Sequence, residues 1–169
     1  MPRGLLLTFR VTVERNSLRF AAAHFTTFGG ECEPLHGHNY DVFVEVRGEL
    51  TPDSWVIDFS DLKRAAAAVC KRLDHKFLLQ EASRELRIAR EADAYEVAFG
   101  ELRYVVPARD VAALPIDNST AERLAEWFAR AVAADLASLG TTNLSELTIG
   151  IEEMPGQAGW FTLALPAAV

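Results

Sequence analysis

The segment Leu7-Thr8-Phe9-Arg10-Val11-Thr12-Val13-Glu14 alternates apolar with polar residues, and this period of two marks a half-buried antiparallel strand. The polar turn Arg15-Asn16-Ser17 is expected to end it. Leu18, Phe20, Ala22 and His24 then share one parity in a second strand, and beyond a glycine-containing loop Tyr40, Val42, Val44 and Val46 share one in a third. Three strands thus precede any helix. Ser60 is positioned to cap a helix in which Leu62, Ala66, Val69 and Leu73 recur at helical spacing. Ser119 to Glu122 reads as a capping box opening a second helix, with Leu124, Phe128, Val132, Leu136 and Leu139 on its apolar side and Gly140 closing it.

Between the helices, Tyr95, Val97 and Phe99, then Leu102, Tyr104 and Val106, flank Gly100-Glu101 as a hairpin. Leu147, Ile149, Ile151 and Glu153, a Pro155-Gly156 turn and the run from Trp160 to Leu165 make a closing hairpin. Strand runs separated by whole helices, with hairpin-length links, indicate an α+β fold with an antiparallel sheet rather than a doubly wound parallel one. The charged, weakly patterned stretch from Glu81 to Ala92 is expected to be a mobile or short helical insertion.

The 169 residues, half of them hydrophobic, fit a single domain spanning 1–169 with a core of its own. A formal charge of −7 without any cluster of Lys and Arg argues against nucleic-acid or anionic-membrane partners, so the expected partner is a small molecule. No apolar run approaches the roughly 20 residues needed to cross a bilayer, and a cytoplasmic protein is expected. Cys32 and Cys70 are read as free thiols in a reducing compartment.

Of four histidines, His24, His36 and His38 lie within fifteen residues. The step of two puts His36 and His38 on one side of an extended segment, and His24 reaches the same spot if the two strands pair across the loop. A single histidine needs no special role, but three imidazoles converging on one point suit zinc with an open fourth position. Cys32 stands four residues before His36, where a nearby cation or base would favour its thiolate. Asp74-His75, ending the first helix, offers an acid that orients an imidazole, although taken singly the pair is better explained as a helix C-terminal histidine favoured by the dipole with a solvent-facing aspartate beside it.

In order, Phe20-Ala21-Ala22-Ala23-His24, Cys32-Glu33-Pro34-Leu35-His36-Gly37-His38-Asn39-Tyr40, Val56-Ile57-Asp58-Phe59-Ser60-Asp61-Leu62-Lys63 and Leu73-Asp74-His75 resemble the signature of the 6-pyruvoyl-tetrahydropterin synthase / 6-carboxytetrahydropterin synthase family. Asn118-Ser119-Thr120-Ala121-Glu122 and Glu153-Met154-Pro155-Gly156 resemble two further family segments. Ser119 replaces the usual proline and Arg123 the usual asparagine, and residues from about 76 to 117 form a longer connection than the family normally carries.

The resemblance implies a tunnelling fold: an antiparallel sheet with two main helices on one face, here with an inserted hairpin. It implies Zn2+ on His24, His36 and His38, Cys32 as the proton-abstracting thiolate, and Asp74 and His75 as its relay. Glu153 would anchor the pterin ring, with Thr120 and Glu33 also binding substrate. A homo-hexamer of two stacked trimers, with active sites shared between subunits, is expected. The implied reaction converts 7,8-dihydroneopterin triphosphate to 6-carboxy-5,6,7,8-tetrahydropterin for the 7-deazaguanine (queuosine) pathway, and the three-residue gap between Cys32 and His36 favours this branch over 6-pyruvoyl-tetrahydropterin formation. Glu33, in Glu-x-x-His-Gly-His, resembles instead a subgroup that forms 6-hydroxymethyl-dihydropterin for folate synthesis. A non-catalytic pterin-binding homologue is the third alternative.

Overall fold

The structure, a computed structural model, describes residues 8–166, with residues 15–17 described by their backbone alone. Leu7, the first residue of the alternating segment, lies outside the described residues. From Phe9 to His24 the chain forms one strand, β1, where the sequence suggests two separated by a turn. It pairs antiparallel with β4 (His36–Gly48), reached through the short ribbon of β2 (Thr27–Phe28) and β3 (Glu31–Cys32). Glu14 lies opposite Phe43 and Arg19 opposite Asp41, so five steps along β1 match two along β4. This odd surplus exchanges the two faces of the strand, and both Val13 before it and Leu18 after it are buried. The polar triplet marks a bulge rather than a chain reversal.

Next come α1 (Phe59–Leu73), β5 (Lys76–Gln80), β6 (Arg87–Glu91), β7 (Ala94–Phe99), β8 (Leu102–Pro107), β9 (Val111–Leu114), α2 (Ala121–Ser138), β10 (Leu144–Met154) and β11 (Gln157–Ala164). The main sheet has the order β11-β10-β4-β1-β5-β9. Its first four strands are antiparallel, as the sequence indicates, but β5 and β9 join in parallel, and the sheet is mixed. The helical crossover through α1 returns the chain along β1 in the same direction, which hairpin links cannot do.

The apolar stripes of both helices meet the inward residues of β1, β4 and β10 in one core, with Leu62, Val69, Phe128, Val132 and Leu136 almost fully buried. This is the α+β tunnelling fold, with both helices on one face of the sheet. Leu139, expected in the apolar stripe, is exposed because α2 stops at Ser138 and Gly140 takes the left-handed φ of +74° just beyond it. The caps are also displaced. Asp58, not Ser60, caps α1 by accepting the Ser60 N–H, and Thr120, not Ser119, caps α2 by accepting the Arg123 N–H.

The insertion is larger than a hairpin. β6, β7 and β8 form a three-stranded antiparallel sheet, its β7–β8 turn at Gly100 as the sequence indicates. The segment from Glu81 to Ala92 contributes β6 instead of a helix or a mobile loop. Four of the five β6 side chains are exposed, so this edge strand leaves almost no apolar alternation in the sequence. Phe77, Leu79, Leu86, Tyr95 and Val97 form a second apolar core, and Phe25, the residue after His24, is packed among them.

Candidate active site

The register of two strands assembles the histidines. His24 lies directly opposite His36 on the β1–β4 ladder, and Ala22 lies opposite His38, so all three imidazoles share one face. The rings are 4.6 to 5.2 Å apart between centroids, and one ring nitrogen from each lies within 4.8 Å of the other two. The intervening Gly37 is there for space: a Cβ on it would sit 2.8 Å from the Ala22 carbonyl oxygen of β1.

Two of the rings have their tautomers set by backbone carbonyls. His24 Nδ1 donates to the Ser119 carbonyl at 3.0 Å, and His36 Nδ1 donates to the Pro34 carbonyl at 2.8 Å. Each is then left with Nε2 as its unprotonated, lone-pair nitrogen. His24 Nε2 is buried without a hydrogen-bond partner among the described residues, 3.9 Å from Glu153 Oε1, which is buried and unpartnered among them too. An orphaned imidazole lone pair beside two more imidazoles is the donor set of a zinc site with an open position, so the residues fit the metal.

Burial pushes the His24 pKa down to about 4, with His36 and His38 adding to the effect against the hydrogen bond to Ser119. His38 is lowered in the same way, by burial first. A metal-free protein therefore keeps His24 neutral where an unfolded chain, at about 6.5, would protonate it. Between these values the unfolded state binds more protons, so stability falls as pH falls. The metal-free parent is expected to lose roughly 2 kcal/mol between pH 7 and pH 5 from this group. His24→Gln should flatten that slope in urea titrations, and parallel pH profiles for the two proteins would refute the assignment.

Around the histidines is a cavity of about 430 Å³ whose walls include Thr26, Glu33, Thr120, Glu122, Glu153 and Gln157. Of the residues singled out in the sequence, Glu33, Thr120 and Glu153 are thus brought to the metal-binding face. Glu33 is held there by the Thr26 hydroxyl, which donates to its Oε2 at 2.5 Å and lowers its pKa, while the Glu33 N–H donates to the Thr26 carbonyl. Burial raises the Glu153 pKa, partly opposed by His36.

Cys32 is not on this cavity wall and is not part of the histidine cluster. It is half-buried against the second core, its Sγ donating to the Glu33 carbonyl at 3.5 Å, and burial together with Glu33 and Glu85 raises its pKa. In an extended segment neighbouring residues point to opposite faces, and here Glu33 lines the histidines' cavity while Cys32 packs against the second core.

The Asp74-His75 pair does form, Asp74 Oδ2 lying 2.9 Å from His75 Nδ1. Asp74 also accepts the Ala21 N–H at 2.8 Å, which is the main reason its pKa is lowered. Asp74 and His75 line two separate outer grooves, each walled in part by His38, and Cys32 is in the wall of neither. Sequence reasoning missed Thr26 and Tyr40. Tyr40 continues the parity of His36 and His38, and its buried, unpartnered hydroxyl belongs to a ring edge-on to His24 and His38, so the period of two could have flagged it.

The sequence model of the 6-pyruvoyl tetrahydropterin synthase family matches residues 12–162. A Methanocaldococcus jannaschii protein provisionally named a 6-carboxy-5,6,7,8-tetrahydropterin synthase is 33% identical over 145 residues, covering 85% of this chain and 89% of that protein. Shorter similarity, 42% over 59 residues, relates 35% of the chain to half of a Pyrococcus furiosus dihydroneopterin monophosphate aldolase. The solved 6-pyruvoyltetrahydropterin synthase of Plasmodium vivax superposes with a TM-score of 0.88 at 32% identity, covering 94% of this chain and 99% of that one. The same enzyme is solved with alanine replacing a catalytic glutamate, again with a TM-score of 0.88. With the sheet order, the histidine trio and a family match spanning nearly all the described residues in agreement, the chain belongs to the 6-pyruvoyl tetrahydropterin synthase family.

Proposed function

We propose that the protein is a zinc-dependent lyase that cleaves the side chain of 7,8-dihydroneopterin triphosphate, with Glu33 as the proton-accepting group. The observation that carries this reading is the shared cavity of Glu33 and the three histidines. His24, His36 and His38 would hold the zinc, which when bound supplies Lewis-acid polarisation of side-chain oxygens. The Glu33 carboxylate, ionised at neutral pH, takes the C2′ hydroxyl proton; C2′ becomes the aldehyde carbon of a departing glycolaldehyde that carries the triphosphate, the electrons of the broken C1′–C2′ bond pass to C1′ and the conjugated ring, and the proton is returned to C1′. That sequence leaves 6-hydroxymethyl-dihydropterin. Glu153 accepts the paired N–H donors of the pterin edge, a geometry suited to a carboxylate. The catalytic glutamate of the Plasmodium vivax enzyme supports a carboxylate in this role, and the name of the Pyrococcus furiosus aldolase supports a carbon–carbon cleavage.

A second reading, 6-carboxy-5,6,7,8-tetrahydropterin formation for the queuosine pathway, is favoured by the name of the Methanocaldococcus jannaschii relative. Incubating the purified protein with dihydroneopterin triphosphate and identifying the product by mass spectrometry tests both. The carboxy product alone would overturn the first reading; no turnover would leave only a pterin-binding homologue.

We further propose a cytoplasmic homo-hexamer of two stacked trimers. Free Cys32 and Cys70 agree with a reducing compartment, and no helix among the described residues is long and apolar enough to cross a membrane. Within one chain the sheet ends in β11 and β9, edges that closure with neighbouring subunits would protect. Light scattering is expected to give six times the chain mass, and a stable monomer would refute the assembly.

A further inference from the structure

Gln80, on β5 of the insertion, is fully buried, yet its side-chain Oε1 has no partner among the described residues. Buried amides are seldom left half-satisfied without a reason, since an unpaired polar atom is costly. Its other end is committed: Gln80 Nε2 donates to Asn118 Oδ1 at 3.4 Å. Asn118 Oδ1 also accepts the N–H groups of Ser119 at 3.0 Å and Thr27 at 3.2 Å, while its Nδ2 donates to the Thr27 carbonyl at 2.8 Å. Ser119, likewise fully buried, donates its hydroxyl to the Phe25 carbonyl at 2.8 Å and presents its own carbonyl to His24 Nδ1.

These bonds clip the segment following His24 to the turn preceding α2. Phe25 is held from the other side by the insertion, its ring 5.5 Å from Phe77 and stacked 5.4 Å from Tyr104. His24 is therefore oriented by contacts with residues about ninety positions away, and the insertion carries one end of the brace.

We infer that Asn118, bridged to Gln80, is a positioning residue that holds His24 in its metal-binding orientation, and that the 76–117 insertion braces the zinc site. The inference rests on the zinc reading above. A metal-bound histidine depends on the acceptor at its other nitrogen, and loss of such outer partners typically weakens metal binding about 10–100-fold. Asn118 acts one step further out, by fixing the peptide that carries the acceptor.

The test is zinc affinity, measured by chelator competition on the metal-free full chain, with the visible spectrum of the cobalt-substituted protein as a second readout. Asn118→Ala is expected to weaken zinc about tenfold or more and to shift the cobalt bands. Asn118→Asp keeps the three accepted bonds and loses only the donated one, so its affinity should fall between. Gln80→Leu and Ser119→Ala should each weaken zinc several-fold (on the order of 3-fold), and they decide the matter if Asn118→Ala does not fold. Leu136→Ala, a core truncation at the far end of α2, should lower the melting temperature without changing zinc affinity or the cobalt spectrum. Parental affinity and spectrum in the folded Asn118 variant, or an equal loss in Leu136→Ala, would overturn the inference. A parent protein that binds no zinc would instead overturn the zinc reading, and this inference with it.

Discussion

Glu33→Ala is expected to lower the rate of dihydroneopterin triphosphate cleavage by about 10²–10⁴-fold, the usual contribution of a positioned general base, while Cys32→Ala stays near the parental rate. Basicity alone would favour the thiolate. Position and ionisation favour the carboxylate: Glu33 lines the cavity with the three histidines and is kept ionised by the Thr26 hydroxyl. Cys32 packs toward the second core, and burial with two neighbouring carboxylates holds it as the thiol. Even an unshifted thiol would be no more than about 3 per cent thiolate at pH 7. Glu33→Gln should behave as alanine does, because it preserves the size of the side chain while removing its capacity to take a proton. Liquid chromatography with mass detection reads each variant. Loss of product in Cys32→Ala with activity preserved in Glu33→Ala would reverse the assignment and restore the thiolate mechanism.

Replacing His36 or His38 by alanine is expected to reduce zinc from about one per chain to a small fraction of that. Two imidazoles remain in each variant, and the loss of affinity should exceed the about 10–100-fold that follows removal of an outer-shell partner. His36 is exposed, so His36→Ala should leave the stability of the metal-free protein within about 0.5 kcal/mol of the parent. His24 is a poorer probe because it is buried, and truncating it would also open a void beside Tyr40. Elemental analysis after dialysis, paired with urea titration of the metal-free proteins, separates lost ligation from lost folding. Full zinc content in both variants would remove the metal from the proposed function.

Much of this architecture is legible in short windows of sequence. The period of two in Val42, Val44 and Val46, the helical spacing of Leu124, Phe128 and Val132, and Gly100 between two alternating runs each reflect local geometry, because side chains three or four apart on a helix, or two apart on a strand, share a face. The histidine trio is legible for the same reason: His36 and His38 share parity, and one strand pairing adds His24. The β6 edge strand was hidden because its exposed residues need no apolar pattern, and the bulge at 15–17 because a polar triplet suits a turn equally well.

What the sequence by itself determined is the α+β class, the two helices, the antiparallel half of the sheet and the identity of three clustered imidazoles. Only the tertiary structure decided that Glu33 lines the cavity of those imidazoles while Cys32 packs against the second core, that β5 and β9 lie parallel to β1, and that the Ser119 carbonyl fixes the tautomer of His24. The physical reason is range. Periodicity reports which residues share a face of one element, whereas the inward choice between adjacent loop residues, and a hydrogen bond spanning 95 positions, depend on how separate elements are brought together.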